Sequence, residues 1–183
     1  MLNIMKALIL CGGRRGGLTS TMCEMFAEGA RSKGIESMVL YPIEMDIRHC
    51  DGGNECSEEK RCIIDDEMST IYRSFKGSDI LVLSSPVRFS GPSSIIKTVI
   101  DRFQVYWYDK GDRPSYVVAL LNGGMENPRF DNILSSFKAF SITTDMDWMG
   151  ELMIPGTDSL SRDDVRVPSF NFGVETASKI KDR

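Results

Sequence analysis

Short apolar runs alternate along this chain with segments whose apolar residues recur every three to four positions. Ala7-Leu8-Ile9-Leu10-Cys11 and Asp79-Ile80-Leu81-Val82-Leu83-Ser84 are near-continuous apolar runs, the pattern of strands buried on both faces. Ile35 to Tyr41, Tyr116 to Leu121 and Trp148 to Ile154 read as three further strands. After the first run, Met22, Met25, Phe26 and Ala30 share one helical face, with Thr19, Ser20 or Thr21 as N-cap and Gly34 as the stop. Asp66 to Phe75, a helix opened by Pro92 and running to Phe103, and Phe130 to Phe140 show the same period. A final helix is expected over Val174 to Ile180, reached through the polar, Pro-containing segment Gly156 to Asn171. Five strand–helix units in succession imply a doubly wound α/β domain: a five-stranded parallel sheet with helices on both faces, read in the order 2-1-3-4-5, and one domain over 1–183.

Composition narrows the partners. Of the 183 residues, 42% are hydrophobic and 26% charged, and the formal charge is −4. No broad basic face is available to neutralise phosphates, so nucleic acid is not an expected partner. No apolar stretch is long enough to cross a bilayer, and a cytoplasmic location without membrane partners is expected. Five cysteines, in a chain with its own core, fit free thiols better than a disulfide framework. Cys11 and Cys23 fall in apolar patterns and read as core.

In an open parallel sheet, ligands bind beyond the carboxyl ends of the strands, where strand order reverses. The loop Gly12-Gly13-Arg14-Arg15-Gly16-Gly17-Leu18-Thr19-Ser20-Thr21 combines glycines, a helix N-terminus, hydroxyls and arginine, the chemistry of a phosphate site. A plain glycine turn with an N-cap is the simpler alternative. No Gly-Lys-Ser/Thr follows, and the G-x-G-x-x-G spacing is missing, so ATP and tightly held NAD lose ground as primary ligands. Arg14 and Arg15 also stand where a phosphoacceptor domain would want acids.

The loop after the third strand, Ser84-Ser85-Pro86-Val87-Arg88-Phe89-Ser90-Gly91-Pro92-Ser93, has a path fixed by two prolines and a glycine. Here the chain resembles the NAD(P)H-dependent FMN reductases and the related iron-sulfur flavoproteins, all flavodoxin-like. Their first loop reads Gly-Ser-Pro-Arg-x-x-Gly/Ser-Asn-Thr; Gly12, Arg15 and Ser20 match it, while Gly13, Arg14 and Thr19 depart. Their second reads Ser-Pro-Val-Tyr-Phe/Trp-Gly before a helix ending Lys-x-x-Ile-Asp-Arg. Ser85, Pro86, Val87, Phe89, Lys97, Ile100, Asp101 and Arg102 match; Arg88 replaces an aromatic and Ser90 a glycine. Asn122-Gly123-Gly124-Met125-Glu126 resembles the Gly-rich segment beside the flavin, and the resemblance spans about residues 5 to 181.

The resemblance implies FMN held by Gly12, Arg15, Thr19, Ser20, Thr21, Pro86, Val87, Arg88, Phe89, Ser90, Asn122, Gly123 and Gly124. NAD(P)H would be the co-substrate and a small molecule or protein the electron acceptor. No side chain need be a catalytic acid or base, because the flavin carries the chemistry. It also implies a homo-oligomer, to which Tyr106-Trp107-Tyr108 would contribute as a lid or subunit contact, with simple packing the alternative. An electron carrier between protein partners, and a flavin-free regulatory or structural module, are the other functional classes.

Iron-sulfur flavoproteins carry C-x2-C-x2-C and a further Cys before Ile-x-Asp-Asp-x-Met. Cys50, Cys56, Cys62 and Asp65-Asp66-Glu67-Met68 match, but Gly53 stands at the second cysteine. Cys50, Cys56 and Cys62 would give a [4Fe-4S] cluster an open iron or a substitute ligand such as His49; a zinc site and leftover thiols are the alternatives. His49, the single histidine, could otherwise assist proton transfer or simply be solvated.

Overall fold

A computed structural model describes residues 4–183. The strands β1 (Lys6–Cys11), β2 (Glu36–Leu40), β3 (Ile80–Pro86), β4 (Tyr116–Asn122) and β5 (Asp147–Ile154) form one parallel sheet in the order β2-β1-β3-β4-β5. The helices are α1 (Leu18–Ser32), the short α2 (Cys56–Glu59), α3 (Met68–Lys76), α4 (Ser94–Arg102), the short α5 (Val105–Tyr108), α6 (Asp131–Thr143) and α7 (Arg162–Lys181).

Side chains of a strand alternate between faces, and the central strands are apolar on both. Leu8 and Leu10 of β1 join Leu81, Leu83, Val117 and Ala119 under α3, α4 and α6. Ala7, Ile9 and Cys11 join Val82, Val118 and Leu120 under α1 and α7. Cys11 and Cys23 are fully buried in that second layer, as core residues. Asp79, Asp101 and Asp145 act locally: they accept from Lys6 N (2.7 Å), pair with Lys97 (2.5 Å) and pair with Arg113 (2.6 Å).

Two expectations are corrected. The N-cap of α1 is Gly17, so Thr19, Ser20 and Thr21 lie inside the first turn. The segment before residue 174 is helical from Arg162, with Pro168 inside a 20-residue α7. Proline removes a helical hydrogen bond and ordinarily breaks a helix interior. Here a capping box fixes the start, with Asp164 Oδ2 accepting from Ser161 N at 2.7 Å. Further along, Gly29 and Gly173 bring the α1 and α7 backbones together: a Cβ on Gly173 would sit 2.3 Å from Phe26 O, and one on Gly29 would sit 2.1 Å from Phe170 O.

Candidate functional site

The carboxyl ends of β1, β3 and β4 open on one cavity of about 940 Å³. Its floor begins at Gly12, whose N–H donates to Ser84 O at 2.8 Å. A Cβ there would lie 2.5 Å from both Ser84 O and Ile96 Cγ1 and 2.7 Å from Ser93 Oγ, so only glycine keeps the loop seated on β3 and α4. A Cβ on Gly13 would lie 2.7 Å from Thr19 Cβ, so the two departures from the family pattern at 13 and 19 are sterically linked. Thr21 N is the first to donate within α1, to Gly17 O at 2.9 Å. The N–H groups of Leu18, Thr19 and Ser20 therefore have no acceptor within the helix, the ordinary condition of a helix start and a favourable one for an anion.

Hydrogen bonds join the three loops. Thr19 Oγ1 donates to Asn122 Oδ1 at 2.8 Å in a buried contact, and Val87 N donates to Asn122 O at 2.8 Å. Ser85 Oγ accepts from Ser93 N at 2.8 Å and donates to Pro86 O at 2.8 Å. Arg88 and Gly91 exchange two 2.8 Å backbone bonds, closing a tight turn with Phe89 and Ser90 at its tip. Both tip residues are left-handed, with φ of 46° and 61°, and the Phe89 ring is fully exposed. Such a conformation is costly for a side chain larger than that of glycine.

Of the expected residues, Gly12, Thr19, Pro86, Val87, Arg88, Phe89, Asn122 and Gly124 line the cavity. Arg15, Ser20, Thr21, Ser90 and Gly123 do not. Arg15 turns away to pair with Glu44 at 2.9 Å and lies 3.8 Å over the Tyr41 ring; its hydrogen bond holds the Glu44 carboxyl below its usual range. Ser20 Oγ is buried, donating to Glu24 at 2.8 Å with Tyr41 Oη at 3.0 Å, and burial pushes the Tyr41 phenol up to about 12. Thr21 Oγ1 donates to Gly17 O at 3.1 Å.

The sequence reading missed Arg14, Ser93, Lys97, Thr157 and Asp158, all on the cavity wall. Thr157 and Asp158 arrive because their N–H groups donate to Gly123 O (3.0 Å) and Gly124 O (3.2 Å). The Asp158 carboxylate then fills the space beside Gly124, where a Cβ would lie 2.4 Å from it.

The cysteine stretch is anchored by an ion pair that joins two motifs noted separately in the sequence. Arg102, fully buried, donates from Nη1 to Asp66 Oδ2 (2.6 Å) and from Nη2 to Asp66 Oδ1 (3.1 Å), while Nη1 also reaches Arg48 O at 2.8 Å. Asp66 further accepts from Arg48 N and Met68 N, each at 3.0 Å. Burial alone would raise this carboxyl, yet these donors outweigh it and its pKa is lowered.

Beyond the anchor the cysteines line different hollows. Cys50 faces a surface hollow with Asp101 and Gln104; Cys62 faces a different cavity with Tyr72 and Tyr106; and burial pushes the half-buried Cys56 thiol up. The Glu55 carboxylate occupies the space beside Gly53, 2.2 Å from where a Cβ would be. Among the described residues, no three His, Cys, Asp or Glu side chains converge to hold a metal, so the donor set found here does not fit a four-thiolate cluster. His49 is exposed. In the aromatic run only Tyr106 is core, edge-on to Phe75 and tilted against Phe103; Trp107 is 65% exposed.

Sheet order, cavity position and loop pattern define a flavodoxin-like protein with its large cavity at the β1/β3 switch point, where ligands of such sheets bind. The chain matches the model of the NADPH-dependent FMN reductase family over residues 5–129, and it belongs to that family. It is 31% identical over 99 residues to an iron-sulfur flavoprotein of Methanocaldococcus jannaschii, covering 54% of this chain and 51% of that one. The chain spans about half the length of the curated iron-sulfur flavoproteins of M. jannaschii and Archaeoglobus fulgidus that it matches. Among solved structures, an NAD(P)H:quinone oxidoreductase from Methanothermobacter marburgensis superposes with TM-score 0.73 at 13% identity, covering 97% of this chain and 100% of that one. An FMN-dependent NADH-azoreductase from Bacillus anthracis, solved with FMN, superposes with TM-score 0.68 at 16% identity, covering 96% and 99%. At these identities the superpositions establish the fold.

Proposed function

We propose that the chain is an FMN-dependent oxidoreductase that takes hydride from NAD(P)H and passes the electrons to a small-molecule or protein acceptor. The observation that carries this reading is the cradle at Gly12. There glycine alone keeps the loop seated on β3 and α4, and this holds the N–H groups of Leu18, Thr19 and Ser20, which have no acceptor within α1, at the cavity. A ligand there satisfies donors that the chain leaves open, and family membership names the ligand as FMN.

Gly12, Thr19, Pro86, Val87, Asn122 and Gly124 are the residues we assign to holding it. The N–H groups of Leu18, Thr19 and Ser20 take the phosphate. The Thr19–Asn122 hydrogen bond holds the phosphate loop and the end of β4 at a fixed separation, and the Val87–Asn122 bond does the same for the β3 loop. Bound FMN supplies the redox centre, accepting hydride and releasing one or two electrons. The neighbouring backbone orients the ring and limits water at its edge. No side chain is assigned a proton transfer. Self-association through the face carrying Trp107 belongs to the same proposal.

The cysteine loop is read as carrying free thiols. Purified without oxygen, the protein should contain equimolar FMN and little iron, and Cys50, Cys56 and Cys62 should react with a thiol reagent while Cys11 and Cys23 do not. Mass measurement of the released flavin, iron analysis and thiol titration check this together. FAD in place of FMN would refute the phosphate site, and about four irons per chain, the content of a [4Fe-4S] cluster, would refute the free-thiol reading.

A further inference from the structure

A guanidinium carries five N–H donors, and the anchor of the cysteine loop gives acceptors to four of those on Arg102. Nη1 donates to Asp66 Oδ2 and to Arg48 O; Nη2 donates to Asp66 Oδ1 and, at 3.4 Å, to Ile64 O. The remaining donor, Nε–H, is buried and has no acceptor among the described residues. The side chain that carries it is 0% exposed. An unmade hydrogen bond on a buried charged group is expensive, so a group that completes it gains by doing so.

The Cys62 sulfur lies beside this guanidinium and beside Tyr72 Oη. Burial opposes the Arg102 charge, and the Asp66 hydrogen bond, followed by the Cys62 sulfur, outweighs it. Burial raises the Tyr72 phenol and the same sulfur adds to the rise, while Tyr72 Oη donates to Arg102 O. Cys62 is half-buried and shares with Tyr72 a cavity of about 130 Å³, whose lining brings Lys60, Arg61 and Lys76 against a single carboxylate, Asp109. None of these residues lines the cavity assigned to FMN.

A neutral thiol is a weak acceptor, whereas a thiolate, or an oxygen carried on sulfur, accepts strongly from a guanidinium. Reactive cysteines sit in partly exposed, electropositive surroundings, and Cys62 has both. A water needs about 10–15 Å³ of such a cavity, so a molecule little larger than water enters. Flavins support dioxygen chemistry, and hydrogen peroxide is the small neutral oxidant that a two-electron reduction of dioxygen yields. We propose that Cys62 is a peroxide-reactive thiol whose sulfenic acid is held by the Arg102 Nε–H. The thiolate attacks one peroxide oxygen, and the S–O bond forms as the O–O bond breaks. Sulfur gives up two electrons and the peroxide takes them; the departing hydroxide picks up a solvent proton and leaves as water. The oxygen left on sulfur accepts from the open donor. The proposal rests on the free-thiol reading above.

The test uses three flavin-loaded variants that each keep one cysteine of the loop: Cys50→Ser with Cys56→Ser, Cys50→Ser with Cys62→Ser, and Cys56→Ser with Cys62→Ser. Each is reduced, freed of reductant and treated with hydrogen peroxide and dimedone, which labels sulfenic acids; mass spectrometry follows the labelling. The protein that keeps Cys62 should label about tenfold or more faster than the other two, the scale of a hydrogen bond to a charged group. That advantage should vanish in urea. In the same protein, Arg102→Lys keeps a cation for Asp66 but removes the Nε–H, and should slow labelling by a similar factor. Lys60→Gln with Lys76→Gln, both exposed, should slow it severalfold. Equal rates at the three cysteines, or an advantage at Cys62 that survives urea, overturns the proposal and leaves the free-thiol reading standing. So does an unchanged rate in the folded Arg102→Lys protein or, where that variant does not fold, in the double lysine variant. About four irons per chain in the parent overturns the free-thiol reading, and the proposal falls with it.

Discussion

Arg102→Ala should destabilise the protein by about 3–5 kcal/mol, because it leaves the buried Asp66 carboxylate with only the largely exposed Arg48 guanidinium, 3.9 Å away, as a cation. The side chains of both partners are at most 1% exposed, so water cannot take over the lost contacts without opening the loop. Asp66→Asn should cost a similar amount, and replacing both by apolar residues should recover only part, since Arg48 N and Met68 N also lose their acceptor. Denaturant unfolding measures each; a loss under about 1 kcal/mol, typical of a solvent-exposed pair, would contradict the buried anchor. The pH dependence has a definite sign. Because the folded-state pKa of Asp66 is lowered, its contribution is complete above the ordinary value of 3.8 and is lost as the pH falls below it. Acid should therefore loosen the join between α4 and the cysteine loop, and Asp66→Asn should remove that part of the acid sensitivity.

Gly12→Ala should have the largest effect on ligand binding. The added methyl would lie 2.5 Å from Ser84 O and from Ile96 Cγ1, and a backbone oxygen cannot swing aside as a side chain can. Moving the loop to relieve this costs about 1–3 kcal/mol, the usual scale of overpacking, and displaces the N–H groups assigned to the phosphate. The variant should fold less stably and purify with little FMN. Gly111→Ala, where a Cβ meets nothing, is the matched control and should behave like the parent. Full flavin content in Gly12→Ala would show that the cradle is not where the ligand sits.

The central strands are legible in the sequence because burial on both faces writes them as continuous apolar runs, and with right-handed crossovers that leaves few strand orders. The first half of α7 was hidden. Pro168 argues against a helix, and the features that offset it are a local cap at Ser161 and Asp164 and a contact with α1 distant in sequence; only the cap is visible beforehand. The site divides in the same way. Gly12 and the Pro86–Phe89 loop were readable because they follow apolar strands directly. The hydroxyls of Ser20 and Thr21 were placed correctly near the start of α1, but helical geometry turns them to Glu24, Tyr41 and Gly17 rather than to the cavity. Thr157 and Asp158 carry no motif. They reach the site through backbone pairing with Gly123 and Gly124, which no local pattern encodes.

The central claim is that the cavity beyond β1, β3 and β4 holds FMN in position to receive hydride. The most direct measurement is the visible absorption spectrum of the protein purified without oxygen, oxidised and then titrated with NADPH. The account predicts a flavin spectrum that bleaches as the nucleotide is added and returns when an electron acceptor is supplied. A protein that binds no flavin even after incubation with FMN, or whose bound FMN is unaffected by reduced nicotinamide, would contradict it.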